Sequence, residues 1–174
     1  MTAAEAYELT TQGGVSDFAR VIEACEAFGP YCLIGGLAVN CYVEPVYTLD
    51  ADLVIAAANL SSLADHLRER GFRVEEHPHS VNAFGASDLR IQFTTDARYQ
   101  PFPSRSVPAE VLGVPTRIAC LEDVTQGKLW AYADPQRRLS KRKKDELDLI
   151  RLAEAHPELK ALYPRDLREQ IERG

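Results

Sequence analysis

Asp50 and Asp52 stand one residue apart in the apolar run Leu49-Asp50-Ala51-Asp52-Leu53-Val54-Ile55, and thirteen residues separate them from the pair Gly35-Gly36. Side chains alternate along an extended strand, so Leu49, Ala51 and Leu53 take one face and both carboxylates the other, with Cα atoms roughly 6.6 to 6.8 Å apart. Carboxylates so placed can converge on one Mg²⁺, which takes oxygen ligands and is usually held by one or two carboxylates together with substrate phosphates. The glycines follow the apolar run Tyr31-Cys32-Leu33-Ile34 and precede a helix-compatible segment, Leu37 to Tyr42. A phosphate could therefore approach bare backbone N–H groups at the positive end of a helix. Alone, a Gly-Gly pair can be only a tight turn and an Asp-X-Asp only a solvated strand edge. Together, at a spacing that fits strand, turn, helix, loop and returning strand, they read as a metal-dependent phosphate site.

Other charged residues have two readings each. In the helical pattern over 121 to 133, Leu121, Val124, Lys128 and Ala131 share a stripe, which turns Lys128 toward the body of the protein. Its ammonium either snorkels to water above a packed stem or meets a partner inside. Six of the eight residues from Arg137 to Lys144 are Lys or Arg. That run is either a solvated helix start or a contact for phosphates or RNA. Lys141, Lys144, Asp145 and Asp148 share one face by their spacing and could form an ordinary ion-pair ladder. His77-Pro78-His79 alternates as a metal pair could, but no further His or Cys lies nearby in the sequence to complete a set. Ser104 and Ser106 have no G-x-S-x-G context, which excludes a hydrolase elbow.

The elements that must position these residues follow from periodicity. Ser16 is placed to cap a helix with the apolar stripe Phe18, Val21, Ile22 and Cys25, stopped by Gly29-Pro30. Strand 31 to 34, the glycine turn and a short helix come next. After the aspartate strand, Leu60, Leu63, Ala64 and Leu67 predict a second amphipathic helix ending near Gly71. Residues 72 to 76, about 81 to 84, and 88 to 94 read as strands. Tyr99 to Pro115 holds four prolines and reads as a loop with one short strand near Glu110 to Leu112. Helices are expected over about 121 to 133, 140 to 155 and 164 to 172.

The 174 residues suffice for a sizeable core without demanding two domains. A net charge of −6 argues against a protein that coats nucleic acid with a basic surface. Cys25, Cys32, Cys41 and Cys120 show no C-x-x-C spacing and read as reduced core residues. With no signal-peptide pattern and no apolar run of membrane-spanning length, the expected compartment is the cytoplasm, with no membrane partner.

Gly35-Gly36 followed by Asp50-Ala51-Asp52 resembles the signature of the nucleotidyltransferase superfamily of the DNA polymerase beta type. The wider match is similar to the AbiEii-type nucleotidyltransferases of abortive-infection and type IV toxin-antitoxin systems. It comprises Gly-Gly-Leu-Ala-Val from Gly35, Thr48-Leu-Asp-Ala-Asp, Leu121-Glu-Asp-Val-Thr-Gln-Gly-Lys128-Leu-Trp-Ala, and Lys144-Asp145-Glu-Leu-Asp148-Leu-Ile, and the resemblance covers roughly residues 31 to 155. It implies an α+β fold, a nucleotidyltransferase-like mixed β-sheet flanked by helices with a helical C-terminal part. Residues 1–118 would form the core and 119–174 the helical part packed on it as one compact unit.

The implied activity is transfer of a nucleoside monophosphate from an NTP to an acceptor hydroxyl on RNA, a protein or a small molecule. Asp50 and Asp52 would hold Mg²⁺ or Mn²⁺, and Lys128 would meet the NTP phosphates. Gly35, Gly36, Thr48, Lys144 and Asp145 would form the nucleotide site, with Asp148 a weaker addition. Two positions depart from the pattern. Gln92, in Asp88-Leu-Arg-Ile-Gln-Phe-Thr-Thr, stands where a third carboxylate ligand is usual, and Val46 stands where many relatives carry arginine. An amide oxygen is an uncharged, poorer ligand and no base. The alternative function is therefore a catalytically weakened nucleotide- or RNA-binding module of the same fold, which could serve as a toxin component with a cognate antitoxin protein as partner.

Overall fold

Period-two alternation produces seven strands and helical stripes produce the helices that cover them. The computed structural model describes all residues from Met1 to Gly174. Strands β1 (Tyr31–Ile34), β2 (Asp50–Ile55), β3 (Arg73–His77), β4 (Ser80–Phe84), β5 (Arg90–Thr94), β6 (Val107–Val111) and β7 (Val114–Ile118) form one sheet in the order β3-β4-β5-β2-β1-β7-β6. The sheet is mixed: β2 runs parallel to β5 and antiparallel to β1, while β1 runs parallel to β7. The remaining pairs, β3-β4, β4-β5 and β6-β7, are antiparallel. The helices are α1 (Ala3–Thr10), α2 (Gly14–Phe28), α3 (Gly35–Val39), α4 (Ala57–Glu69), α5 (Leu121–Ala133), α6 (Leu139–Ala155) and α7 (Arg165–Arg173). This is the α+β architecture of a mixed sheet flanked by helices, with a helical C-terminal part.

The apolar stripes are buried where the spacing put them. Phe18, Val21, Ile22 and Cys25 of α2, and Leu63, Ala64 and Leu67 of α4, all lie in the core. Each large apolar side chain so buried contributes about 1.5–3 kcal/mol. Leu149 and Leu152 of α6 and Leu167 of α7 join the same cluster as the sheet residues Leu33, Leu53 and Ile91. The central strands β1 and β2 are thereby clamped from both faces, which fixes the height at which Asp50 and Asp52 emerge.

Two local expectations are corrected. Ser16 does not cap α2, which begins at Gly14 after Gly13 at φ +105°. The unforeseen helix α1 carries Glu8 across that end, where its carboxylate accepts the N–H groups of Val15 at 2.7 Å and Ser16 at 3.2 Å. A negative side chain from another helix satisfies the orphan amides, so no local cap is needed. The start of α1 was legible, since Thr2 and Glu5 form a reciprocal capping box.

The second correction is the proline-rich stretch, which holds two 3₁₀ turns and then the hairpin β6-β7. Leu112 and Gly113 turn it with φ +51° and +77°, the left-handed pair that suits a two-residue hairpin. Pro108 lies on the sheet-edge strand β6. Pro115 lies beyond the point where β7 meets β1, paired there only through Leu33 and Ile118. Neither proline is asked for a ladder N–H in a central position, so the sheet tolerates both.

Candidate functional site

The site starts at the junction of β1 and α3. Gly35 has φ +70°, and a Cβ there would lie 2.4 Å from Asp52 Oδ2, so both the backbone conformation and the space demand glycine. Gly36 is under no such demand: its Cβ would sit 3.6 Å from Thr48 Oγ1 and 3.8 Å from Lys144 Nζ, ordinary contacts. The expected helix after the glycines is corrected as well. The glycines form the first turn of α3, and this helix is only five residues long. A helix of little more than one turn sums few peptide dipoles, so it adds little to the field at its start.

Strand register places the carboxylates. Asp52 lies opposite Ile34 on β1 and opposite Gln92 on β5, while Asp50 lies opposite Arg90. Gln92 is thus on the face of the sheet that carries both aspartates, adjacent to Asp52. Asn82 follows on β4 in the same row, its Oδ1 buried without a hydrogen-bond partner. Both oxygens of Asp50 are occupied: Arg90 Nε is 2.7 Å from Oδ1 and Lys141 Nζ is 2.9 Å from Oδ2. Burial works to raise the Asp50 carboxyl, but the Lys141 hydrogen bond and the charges of Lys141, Arg90 and Lys144 outweigh it, and the group is held below its ordinary value. Asp52 moves the opposite way. Burial raises it, the charge of Asp50 raises it further, and Lys128, Lys141 and Arg137 offset this only in part. Two carboxylates on one strand are so driven apart by their surroundings, a pattern that marks sites of chemistry.

The loop before β2 is locked by Tyr7, a residue outside any motif. Thr48 is buried, accepts a hydrogen bond from the Tyr7 hydroxyl through its carbonyl at 2.7 Å, and through Oγ1 accepts the Asp50 N–H at 3.3 Å and the Lys144 ammonium at 3.2 Å. Lys144 is held below its ordinary value by burial and by the nearby charge of Lys128.

Lys128 does face inward, and its partners are protein carboxylates. Its Nζ lies 3.0 Å from Asp145 Oδ1 and 2.8 Å from Asp148 Oδ2, with side-chain exposures of 8%, 1% and 2%. Burial opposes the charged form, but Asp148 and Asp145 more than compensate, and the ammonium is held above its ordinary value. Arg137 Nε meets Asp145 Oδ2 at 2.5 Å and Arg151 Nη1 meets Asp148 Oδ1 at 2.8 Å, so the two acids are shared among three cations. The basic run is correspondingly split, which corrects its reading as a single exposed face. Arg137 and Lys141 turn inward to Asp145 and Asp50, whereas Arg138 and Lys143 stay exposed and Arg142 is half-buried.

Two cavities meet at Asp52 and Gln92. The larger, about 630 Å³, is bordered by Gly35, Asp52, Lys128, Arg137, Trp130 and Arg98. The smaller, about 200 Å³, is bordered by Asp50, Asp52, Asn82, Phe84, Arg90, Gln92 and Lys141. One wall of the larger cavity is aromatic. Phe102 stacks on Trp130 with centroids 5.8 Å apart, Tyr99 meets Trp130 edge-on at 5.1 Å, and the Arg98 guanidinium lies 4.8 Å from the Trp130 centroid. The sequence Arg98-Tyr99-Gln100 could be read as a group that stacks on or hydrogen-bonds a base, although such a pair on a loop usually does neither; Trp130 and the roles of Tyr7 and Arg90 were missed. His77 ends β3 and His79 lies in the β3-β4 turn, and no group of three or more His, Cys, Asp or Glu side chains is placed to hold a metal.

The donors at hand are oxygens alone, the Asp50 and Asp52 carboxylates and the Gln92 amide. That set suits a hard cation such as Mg²⁺, which completes its shell with water and phosphate oxygens, and disfavours soft metals. The missing side chain at Gly35 is what lets Asp52 Oδ2 lie against the backbone there.

The sheet order, the glycine junction over β2 and the closing helices define the nucleotidyltransferase-like fold. Among solved structures, the chain is similar to ANT(2'')-Ia in complex with adenylyl-2''-tobramycin, at 18% identity over 93% of this chain and 98% of that one, with a TM-score of 0.60. It is also similar to a candidate nucleotidyltransferase from H. pylori, at 20% identity over 87% of this chain and 71% of that one, with a TM-score of 0.53. No family model and no curated protein sequence matches the chain. No helix is long and apolar enough to cross a membrane.

Proposed function

We propose that this protein transfers a nucleoside monophosphate from an NTP to an acceptor hydroxyl, with Asp50 and Asp52 as ligands of Mg²⁺ or Mn²⁺. The observation that carries the reading is the carboxylate pair on one sheet face, with Gly35 bare beside Asp52 Oδ2, at the edge of a 630 Å³ cavity. A cavity of that size lies within the roughly 300–1,000 Å³ range of small-molecule sites. A bound divalent ion supplies charge neutralisation and polarisation of the phosphates. The chain's own residues do the positioning. Gly35 admits phosphate oxygens to the backbone, Arg137 and Lys144 offer charge beside the carboxylates, and Thr48 fixes the strand entry that aims Asp50. Gly36 would contribute only its backbone N–H, which any residue but proline supplies, and Asp145 completes the nucleotide site by holding Lys128 and Arg137 in place. The acceptor oxygen forms the new bond to the α-phosphorus, the bond to pyrophosphate breaks, and the hydroxyl proton passes to water.

The likeness to a structure that carries adenylyl-2''-tobramycin supports testing a small-molecule hydroxyl beside RNA and protein acceptors. The enzyme would act in the cytoplasm, where NTPs and Mg²⁺ are supplied. The test is incubation with each labelled NTP, Mg²⁺ or Mn²⁺, and total RNA, a protein extract or an aminoglycoside. Transfer that disappears in Asp50→Asn and Asp52→Asn supports the reading, and transfer unchanged in both removes it.

A second reading has its own observation: Gln92, the neighbour of Asp52 in the sheet, is uncharged. A site with two carboxylates can bind a metal-nucleotide complex without turning it over efficiently. In that case the protein would be a nucleotide- or RNA-binding module, and the AbiEii-type resemblance would make it a toxin component with a cognate antitoxin. Metal-dependent NTP binding without label transfer favours this second reading.

A further inference from the structure

We infer that Lys141 is the cation partner of Asp50 that a divalent ion must displace, and that it transfers to the substrate's phosphates when the ion takes Asp50. The inference rests on the metal-dependent reading of Asp50 and Asp52 given above. Lys141 lies in the first turn of α6, ninety-one residues from Asp50, and its ammonium is 2.9 Å from Asp50 Oδ2. The second cation on Asp50 is differently held: Arg90 sits on β5 in register with Asp50 and contacts Oδ1.

A divalent ion cannot share Asp50 Oδ2 with an ammonium at contact distance without strong like-charge repulsion. Of the two partners, Lys141 is the one that can leave. It is a compact charge on a flexible four-carbon stem that reaches over from a helix, whereas the Arg90 guanidinium is a rigid fork on the neighbouring strand. Its destination is close by. Lys141 borders the smaller cavity, Arg137 the larger, and the two cavities share Asp52 and Gln92. Lys144, one turn further along α6, already stands beside Gly36 and Thr48. A released Lys141 would complete a row of three cations, Arg137, Lys141 and Lys144, along the phosphate path. Metal entry would then be coupled to assembly of the phosphate site, making Lys141 a positioning residue for the reaction.

The coupling has a signature of opposite sign in two titrations. Mn²⁺ alone is titrated into the parent, Lys141→Met and Lys144→Met at fixed ionic strength, with the loss of the free-ion EPR signal as readout. Lys141→Met should bind Mn²⁺ about three- to fivefold more tightly than the parent, the upper part of what one partly exposed ion pair is worth. Lys144→Met removes a nearby charge that does not touch Asp50 and should change affinity by less than about twofold. In calorimetry with the preformed Mn²⁺ complex of inorganic triphosphate, a probe that needs no particular base, Lys141→Met should instead bind more weakly than the parent. Equal tightening in both lysine variants would mean a general field effect and overturn the inference. So would unchanged Mn²⁺ affinity in Lys141→Met, or tighter triphosphate binding. Asp50→Asn and Asp52→Asn report separately on the underlying reading: if Mn²⁺ binding survives in both, or if neither parent nor Lys141→Met binds Mn²⁺, the metal assignment falls and the inference falls with it.

Discussion

Replacing Lys128 by methionine keeps most of its volume and stem packing but removes the charge at the centre of a buried network. The ammonium and its two carboxylates are almost wholly enclosed, and the ion-pair distances are 3.0 and 2.8 Å. Solvent screening therefore gives little relief. Removing one partner from a buried pair costs about 3–5 kcal/mol, because an uncompensated charge is left inside. Here the remaining carboxylates keep Arg137 and Arg151, which places the cost toward the lower end of that range. For a chain of this length each kcal/mol moves the midpoint by about 2–4 °C, so Lys128→Met should melt about 6–12 °C below the parent. Adding Asp148→Asn should restore part of the loss. Calorimetric or urea melts at pH 7, with nucleotide titrations alongside, measure both effects. If Lys128→Met melts within about 2 °C of the parent yet loses NTP affinity, then Lys128 is a phosphate ligand and the structural argument is wrong.

Gly35→Ala should cost about 1–2 kcal/mol for the left-handed backbone and displace Asp52, abolishing metal-dependent NTP binding, whereas Gly36→Ala should keep both stability and binding; identical behaviour of the two variants contradicts the geometry. Asp52 has a raised folded pKa, so the stability its protonated form contributes is present at acid pH and lost as pH rises through that value. Without divalent ions, Asp52→Asn should therefore match the parent at acid pH and exceed it at pH 8 in urea melts, and a less stable variant at pH 8 refutes the assignment. Gln92→Asp, opposite Asp52 in the sheet, should tighten Mn²⁺ binding, and unchanged affinity by calorimetry would remove Gln92 from the site. Charge reversal at Arg138, Arg142 and Lys143 should spare NTP binding and weaken RNA binding at low salt, with the loss fading as salt rises; RNA affinity equal to the parent's at low salt would leave these residues a solvated helix face.

The sequence by itself determined what depends on neighbours along the chain. Alternation puts Asp50 and Asp52 on one face of a strand because the period of two is a local property of extended backbone. Helical spacing turns Lys128 inward and buries the stripes of α2 and α4 for the same kind of reason. A local signal also existed for α1, in the Thr2 and Glu5 capping box. Tertiary structure alone decided which charges meet. Lys141 reaches Asp50 across ninety-one residues, and Lys128 finds Asp145 and Asp148, because α5 and α6 pack against each other and both pack on α3, which lies against β2. The spacing that reads as a solvated ladder on α6 becomes a buried network once a second helix covers it. Register likewise chose Gln92 as the neighbour of Asp52 and Arg90 as that of Asp50, and edge position made Pro108 acceptable in a strand. An ion pair's energy depends on burial and on the partner's position, and neither is written in the spacing of one segment.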